Sequence, residues 1–397
     1  MERIGIYGGT FNPPHLGHFR GAEYALEQLR LDRVFMMPAH TAPHKDSAPD
    51  MPTPQQRLQM VQLGLGNRED IVVSDLEINR GGISYTADTV EQVAALHPDG
   101  ELFLIMGTDM LASFDTWHDP QRIVKHASLA VLCRGEKGER EAIEEAMPKL
   151  KAMGAKVQIL ENPITAISST DLRRMLCFRC ASDFLPQPVE EFILKNGLYG
   201  SWKHYRHLPI ERLQEVVVSL LKPGRVAHVL GCRETAVELA RLYGVDETDA
   251  ARAALLHDIT KALGGPLQLT MCRSYGTMLD KFSLKNPKTL HALTGSLVAE
   301  RIFGENEAVV DAIRCHTTGK ADMNLLEKII YVADYVEPNR DFPGVEELRS
   351  LAYTDITKAL KLGLQNTLNL LHRQGSEVSP ESREALAWLD RRLAAVE

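Results

Sequence analysis

The feature that most constrains this chain is a change of rhythm near its middle. From Arg3 to about Asn162 short apolar runs alternate with helical stretches: Ile4 to Tyr7, Val34 to Met37, Ile71 to Val73, Leu102 to Met106, Leu129 to Leu132 and Val157 to Leu160. Strands spaced by helices demand a parallel sheet, because each crossover lays its helix on a face of that sheet. Beyond Pro209 the strand-like runs vanish. Apolar residues then recur only at helical spacing, in Leu213 to Leu221, Thr235 to Leu242, Ala251 to Leu256, Ala292 to Ile302, Val309 to Ile313 and Leu325 to Val336. The expected fold is an α/β doubly wound parallel sheet followed by an all-α domain.

The change of rhythm also locates a boundary. A helix over Val189 to Lys195 stops at Asn196-Gly197, and Leu198 to Leu208 is rich in aromatic and basic residues without periodicity. A chain of 397 residues exceeds what one hydrophobic core comfortably organises, so two domains are expected, at 1–200 and 209–397. Within the first, Thr53, Pro54 and Gln56 read as an N-cap, a first-turn proline and the reciprocal Gln of a capping box, opening a helix over Gln55 to Leu65.

Charge narrows the partners. The formal net charge is -8, and no run of Lys and Arg forms the stripe that neutralises a phosphate backbone, so a nucleic-acid partner is not expected. Phosphorylated small molecules remain, since local cations and backbone N–H groups set the field inside a cleft. Six scattered cysteines, including the lone pair Cys177 and Cys180, read as free thiols of a reducing compartment. The start, Met1 to Tyr7, lacks the character of a signal peptide, and no apolar run is long enough to cross a bilayer. A cytoplasmic protein without a membrane partner is expected; a homo-oligomer is left open.

Directly after the first strand stands Gly8-Gly9-Thr10-Phe11-Asn12-Pro13-Pro14-His15-Leu16-Gly17-His18, followed by the amphipathic run Arg20 to Leu29. Small residues let the backbone approach a polyanion, and the helix opening here points its free N–H groups at it. His15 and His18, three apart, lie on one helix face and can donate to phosphate oxygens. After the last strand, Ile167-Ser168-Ser169-Thr170-Asp171-Leu172-Arg173 opens another helix at the same end of the sheet, with hydroxyls able to cap it.

The first string resembles the signature of the nucleotidylyltransferase superfamily, and Gly-Thr-Phe-Asn-Pro-Pro resembles its nicotinate-nucleotide adenylyltransferase branch. The resemblance covers residues 1 to about 200. It implies ATP contacts from Gly8, Gly9, Thr10, Phe11, His15, His18, Gly107, Asp109, Ser169, Thr170 and Arg173. It implies mononucleotide contacts from Asn12, Lys45, Tyr85, Thr86 and Trp117, with Trp117 stacking on the pyridine; core packing is the plain alternative for a tryptophan. In the implied reaction the mononucleotide phosphate attacks the α-phosphorus of ATP in line. Catalysis is then positioning and charge stabilisation by His15, His18, Lys45, Arg173 and Mg²⁺.

The helical half carries His228, His257, Asp258, His291, His316 and Asp334, each on or beside an expected helix. Imidazole and carboxylate suit manganese, iron, zinc and related divalent ions, six ligands suffice for two of them, and Asp258 is placed to bridge. Lys261 follows one turn after Asp258. The set resembles the HD-domain phosphohydrolases. Ala312 to Gly319 and Ala333 to Arg340 resemble the YqeK-like branch, described as splitting diadenosine tetraphosphate symmetrically into two ADP, with iron the implied metal. This resemblance covers residues 209 to about 385; Val229 departs from it, standing where a small hydroxyl residue is expected. Asp258 and Lys261 are the implied catalytic groups, with Arg340 as a further cation.

The expectation is a bifunctional enzyme that makes deamido-NAD and pyrophosphate from ATP and nicotinate mononucleotide, and hydrolyses diadenosine tetraphosphate. Other acceptors, nicotinamide mononucleotide or phosphopantetheine, are compatible with the first half. Another nucleotide substrate, or a purely regulatory nucleotide-binding role, is compatible with the second.

Overall fold

The computed structural model of the chain describes residues 1–41, 51–133, 135, 138–161, 167–201 and 203–394. They divide into two compact units, Met1–Lys203 and His204–Glu397.

The first unit is built on β1 (Arg3–Gly9), β2 (Arg33–Pro38), β3 (Ile71–Val73), β4 (Glu101–Gly107), β5 (Ala127–Leu132) and β6 (Val157–Leu160). All neighbours pair in parallel, in the order β3-β2-β1-β4-β5-β6. The chain walks outward from β1 to β3, returns to β4 beside β1, and walks outward the other way. That reversal opens a crevice at the carboxyl ends of β1 and β4, where open α/β sheets bind ligands. The two-residue alternation of strands sorts the core into two faces. Ile4, Ile6, Leu102, Leu104, Met106, Leu129 and Val131 belong to one cluster. Val34, Met36, Phe103, Ile105, Ala130 and Leu132 belong to the other. Leu102 to Met106 are buried without a break, as a strand covered on both faces requires.

Local signals place the helices. Pro54–Leu65 begins as the capping box predicts: the Gln56 N–H donates to Thr53 Oγ1 at 3.2 Å and the Thr53 N–H donates to Gln56 Oε1 at 2.9 Å. The helix after β1 starts earlier than its apolar periodicity suggests, at Leu16–Gln28, because His15 serves as N-cap. Its first turn therefore lies inside the glycine-histidine string.

The second unit has no strand among the described residues. Its central helix, Leu325–Val336, is buried nearly all round, from Ile329 to Asp334 without interruption. Around it pack Pro223–Tyr243, Glu307–Cys315 and Ile356–Arg373, with Glu247–Leu256 and Leu290–Val298 completing the cluster that carries the histidines. Val229 is fully buried core. The six cysteines are free thiols. Among the described residues no helix is long and apolar enough to cross a membrane.

Candidate active sites, one in each unit

In the first unit the segments singled out by sequence meet at the carboxyl edge of the sheet. The His15 backbone N–H donates to His18 Nδ1 at 3.2 Å. A neutral imidazole that accepts at Nδ1 carries its proton on Nε2, so His18 is set as a donor. The His15 and His18 rings lie 3.7 Å apart between centroids, and Phe11 meets His18 edge-on at 5.1 Å. Phe11 is 2% exposed and takes a left-handed conformation, φ 45, a strained state for an aromatic residue that its packing must hold in place.

The segment after β6 clasps the same loop. Arg173 donates to the Asn12 carbonyl at 2.8 Å and to Thr170 Oγ1 at 2.9 Å, and Ser169 Oγ donates to the Pro13 carbonyl at 3.3 Å. The hydroxyl that caps helix Ser169–Cys177 is Ser168, which accepts from the Asp171 N–H at 3.0 Å, leaving Ser169 to the loop and Thr170 to Arg173. The Asn12–Pro13 peptide is cis.

Gly107, Thr108 and Asp109 cross from the end of β4 into the short helix Thr108–Ala112, with Asp109 exposed. Tyr85 is the N-cap residue of helix Thr86–Leu96, with no side-chain cap on its first turn. Its approach is tied to the end of β2: the Ser84 N–H donates to the Thr41 carbonyl and the His40 N–H to Ser84 Oγ, both at 2.9 Å. Trp117 is half-buried, packing on Phe114 at 5.2 Å, and the adjacent His118 lies against Tyr85 at 4.2 Å. Trp117 packs against the core of the unit. Lys45 lies outside the described residues.

In the second unit five separate segments converge. Asp258, fully buried just past helix Glu247–Leu256, divides its oxygens between two pairs of imidazoles. Oδ2 lies 3.5 Å from His257 Nε2 and 3.7 Å from His228 Nε2; Oδ1 lies 3.5 Å from His291 Nε2 and 3.8 Å from His316 Nε2. Asp334 Oδ1 adds to the first pair, 3.1 Å from His228 Nε2 and 3.9 Å from His257 Nε2. Each Nδ1 is engaged elsewhere. His257 donates to the Ala254 carbonyl at 2.6 Å, His291 to Lys288 at 2.8 Å and His316 to Ile313 at 2.6 Å, while His228 donates to Glu337 Oε1 at 3.1 Å. All four rings thus turn Nε2 inward, where a neutral imidazole would offer its lone pair.

Electrostatics fit cation binding. His228 Nε2, His257 Nε2 and Asp258 Oδ1 are buried, and none has hydrogen-bond geometry with a neighbour. Buried polar atoms of this kind, facing one another across the cluster, fit residues that could hold a cation. Burial pushes His291 down to about 4, helped by the Lys261 ammonium, and pushes His316 down to about 3, helped by its neighbouring imidazoles. Burial opposes ionisation of Asp258 and Asp334, but the surrounding imidazoles, with Lys261 beside Asp258 and Arg340 beside Asp334, hold both well below the usual carboxylate range. Lys261 Nζ is 3.1 Å from Asp258 Oδ1, while Arg225 pairs with Asp258 Oδ2 and Arg340 with Asp334 Oδ1. Two groups suit a metal ion: His228, His257 and Asp334, and His257, Asp258 and His316.

Comparison with known proteins agrees with both constellations. The cytidylyltransferase-like family model matches residues 6–175 and the HD domain model matches residues 225–339. A "Probable nicotinate-nucleotide adenylyltransferase" of Exiguobacterium sibiricum is 36% identical over 200 residues, covering 50% of this chain and 100% of that protein. A "Bis(5'-nucleosyl)-tetraphosphatase, symmetrical" of Halalkalibacterium halodurans is 41% identical over 170 residues, covering 42% of this chain and 90% of that protein. One from Bacillus subtilis is 40% identical over 166 residues, covering 42% and 89%. The chain belongs to both families, joined in tandem. It is an enzyme with an adenylyltransferase half and an HD-domain half.

Each half holds residues that the sequence reading passed over. In the adenylyltransferase half, Arg57 is 6% exposed and donates to three backbone carbonyls: Thr10 at 2.9 Å, Ala39 at 2.5 Å and His40 at 2.8 Å. It was detectable as a charge at i, i+3 and i+4 spacing with the buried Met60 and Val61. Tyr199 donates to Asn12 Oδ1 at 2.6 Å from far along the chain. In the HD half, Arg225 stands one turn before His228, and Thr317 Oγ1 lies 3.1 Å from His291 Nε2 and 3.2 Å from His316 Nε2.

Proposed function

We propose that the adenylyltransferase half transfers AMP from ATP to nicotinate mononucleotide, giving deamido-NAD and pyrophosphate, and that the HD half hydrolyses diadenosine tetraphosphate to two ADP. The domains are taken as 1–200 and 209–397, working in the cytoplasm on small nucleotides and not on nucleic acid. The observation that carries the reading is the division of the Asp258 carboxylate between two imidazole pairs, in the same chain as a histidine-glycine loop at a sheet crevice. The comparisons support both reactions through the printed activities of the relatives.

In the front reaction ATP enters as its Mg²⁺ complex. An oxygen of the mononucleotide phosphate attacks the α-phosphorus, and the bond from that phosphorus to the β-phosphate oxygen breaks. No group on the protein becomes covalently attached. His18, its proton held on Nε2, and His15 donate to the triphosphate where charge accumulates, with Arg173 and Lys45 as the fixed cations. Thr10, Phe11 and the Gly8-Gly9 backbone close on the phosphates. Ser169 and Thr170 lie beside them, and Gly107 and Asp109 face the adenosine ribose. Asn12, Tyr85, Thr86 and Trp117 receive the mononucleotide, its carboxylate at the helix N-terminus that Tyr85 opens.

In the rear reaction water attacks one of the two central phosphorus atoms, and the central bridging P–O bond breaks so that each product keeps two phosphates. His228, His257 and Asp334 would hold one divalent ion and His291 and His316 a second, with Asp258 shared. Iron is the ion proposed. When bound, such ions supply a water acidic enough to act as hydroxide at neutral pH and neutralise phosphate charge. Asp258 keeps the two halves of the cluster in register, and Lys261, Arg225 and Arg340 neutralise charge on the departing ADP.

The test is chromatographic. The purified chain is incubated with ATP and, separately, nicotinate mononucleotide, nicotinamide mononucleotide or phosphopantetheine, and with diadenosine tetraphosphate plus Fe²⁺ or Mn²⁺. Deamido-NAD as the dominant transfer product and ADP alone from the tetraphosphate are expected. Preference for another acceptor overturns the first assignment, and AMP with ATP as products overturns the second.

A further inference from the structure

Four histidines surround Asp258, but they are not oriented alike. His257, His291 and His316 each donate Nδ1–H to the carbonyl three residues earlier, at Ala254, Lys288 and Ile313. His257 and His316 stand at helix C-termini, and the acceptor of His291 lies in the single 3-10 turn Pro287–Thr289. Carbonyls there can be left over from helical pairing. His228 instead lies inside helix Pro223–Tyr243, where the preceding carbonyls are engaged in the helical ladder. Its Nδ1 must find an acceptor elsewhere, and it finds the Glu337 carboxylate, 109 positions along the chain, at 3.1 Å.

That carboxylate is built in. Glu337 is 1% exposed, and Oε2 accepts from the Asn339 N–H at 2.8 Å and from Asn339 Nδ2 at 2.9 Å. Asn339 Nδ2 also donates to the Ala227 carbonyl at 3.1 Å, tying the turn to the helix that bears His228. The approach is so close that Gly231, one turn after His228, has no room for a side chain: a Cβ there would stand 2.5 Å from Glu337 Oε2. A carboxylate pressed into this position draws density from the Nδ1–H bond into the ring, and makes Nε2 a stronger electron donor than an imidazole held by a neutral carbonyl.

We infer that Glu337 is a positioning residue that makes the two cation sites unequal, the one on His228, His257 and Asp334 binding more tightly than the one on His291 and His316. The inference rests on the two-ion reading of the cluster and adds an order of loading. The His228 side fills first; the other fills at higher metal concentration and is the one emptied first by a chelator. The Glu-Pro-Asn turn at 337–339 thereby acquires a role, and Gly231 a reason for being glycine.

The experiment uses the full-length chain, stripped with chelator and titrated with Mn²⁺ alone, reading bound metal by calorimetry and free Mn²⁺ by electron paramagnetic resonance. Wild type should show two classes of site. Glu337→Gln keeps the shape and a hydrogen-bond acceptor but removes the charge, and should weaken the tighter class by about 10–100-fold while leaving the weaker class in place. Gly231→Ala, which displaces the carboxylate without altering it, should weaken the same class. Circular dichroism and the melting temperature of the metal-free variants separate this from misfolding, because a general packing defect would lower both classes together. Unchanged affinities in Glu337→Gln, or equal loss in both classes, overturn the inference while the two-ion reading stands. A wild-type chain that binds no Mn²⁺ overturns both.

Discussion

Replacing Arg57 by methionine tests whether a buried guanidinium holds the phosphate loop in shape. Arg57 joins three neutral carbonyls, Thr10 on the loop after β1 and Ala39 and His40 at the end of β2, so it fixes two segments of the crevice to each other. Burial lowers its pKa, the cost of holding a cation away from water, which the three carbonyls offset. Each charge-assisted bond contributes about 1.5–3 kcal/mol, and the desolvation that methionine no longer suffers offsets part of the sum, so the net loss should be about 3–4 kcal/mol. For a unit of this size that lowers the melting temperature by roughly 10 °C. Arg57→Lys should fall between, because one ammonium cannot reproduce the planar fork. A loop displaced by about 1 Å costs on the order of 100-fold in turnover, so adenylyl transfer should fall by that factor even below the melting temperature. The assay is thermal melting with steady-state kinetics for ATP, and tetraphosphate hydrolysis in the same sample serves as the internal control. A variant that melts within about 2 °C of wild type and transfers AMP at the wild-type rate would refute the reasoning.

Tyr199→Phe removes only the hydroxyl that orients Asn12, so it should raise the KM for the mononucleotide several-fold, leave the KM for ATP nearly unchanged and cost about 1 kcal/mol of stability; equal effects on both substrates would contradict an acceptor-side role. In the metal-free chain, His291 and His316 have folded values of about 4 and about 3. The unfolded chain therefore takes up protons that the folded one refuses as pH falls below about 6.5, and stability falls with it. Between pH 6.5 and 5 the loss should be about 2 kcal/mol per histidine, with a flattening below pH 4. His257 does not offset this: burial would lower it, but Asp258 and Asp334 raise it on balance, so its stabilisation is already complete below 6.5. A chelator-treated sample whose melting temperature is flat from pH 6.5 to 5 would contradict the burial of these imidazoles. Lys261→Met should slow hydrolysis by about 100-fold without reducing bound metal; lost metal would reassign Lys261 to the integrity of the cluster.

Much of the fold was legible because its signals are local. The six strands are short apolar runs flanked by polar turns, and the buried run from Leu102 to Met106 announces a two-sided sheet. Leu325–Val336 was bounded to the residue by its apolar spacing, and the structure opens it with an Asn324 cap. The start of Leu16–Gln28 was marked by the pair His15 and His18 and not by apolar periodicity, which sets in only at Arg20, because the first turn carries a glycine and a histidine. Helix Gly265–Ser274 was passed over because buried Gln268 and Thr270 interrupt the apolar period. The histidines of the cluster were legible by residue type. The partners reached from afar were not: Glu337 meets His228 across 109 positions and Tyr199 meets Asn12 across 187, and distance along the chain leaves no periodic trace.

The central claim is that one polypeptide carries two polyphosphate sites of different construction. Assaying His18→Ala and Asp258→Asn side by side for both reactions tests it most directly. His18→Ala should lose at least about 100-fold in adenylyl transfer and keep tetraphosphate hydrolysis, and Asp258→Asn should show the reverse together with loss of bound metal. Loss of both reactions in either variant, or hydrolysis that survives in Asp258→Asn, would contradict the account.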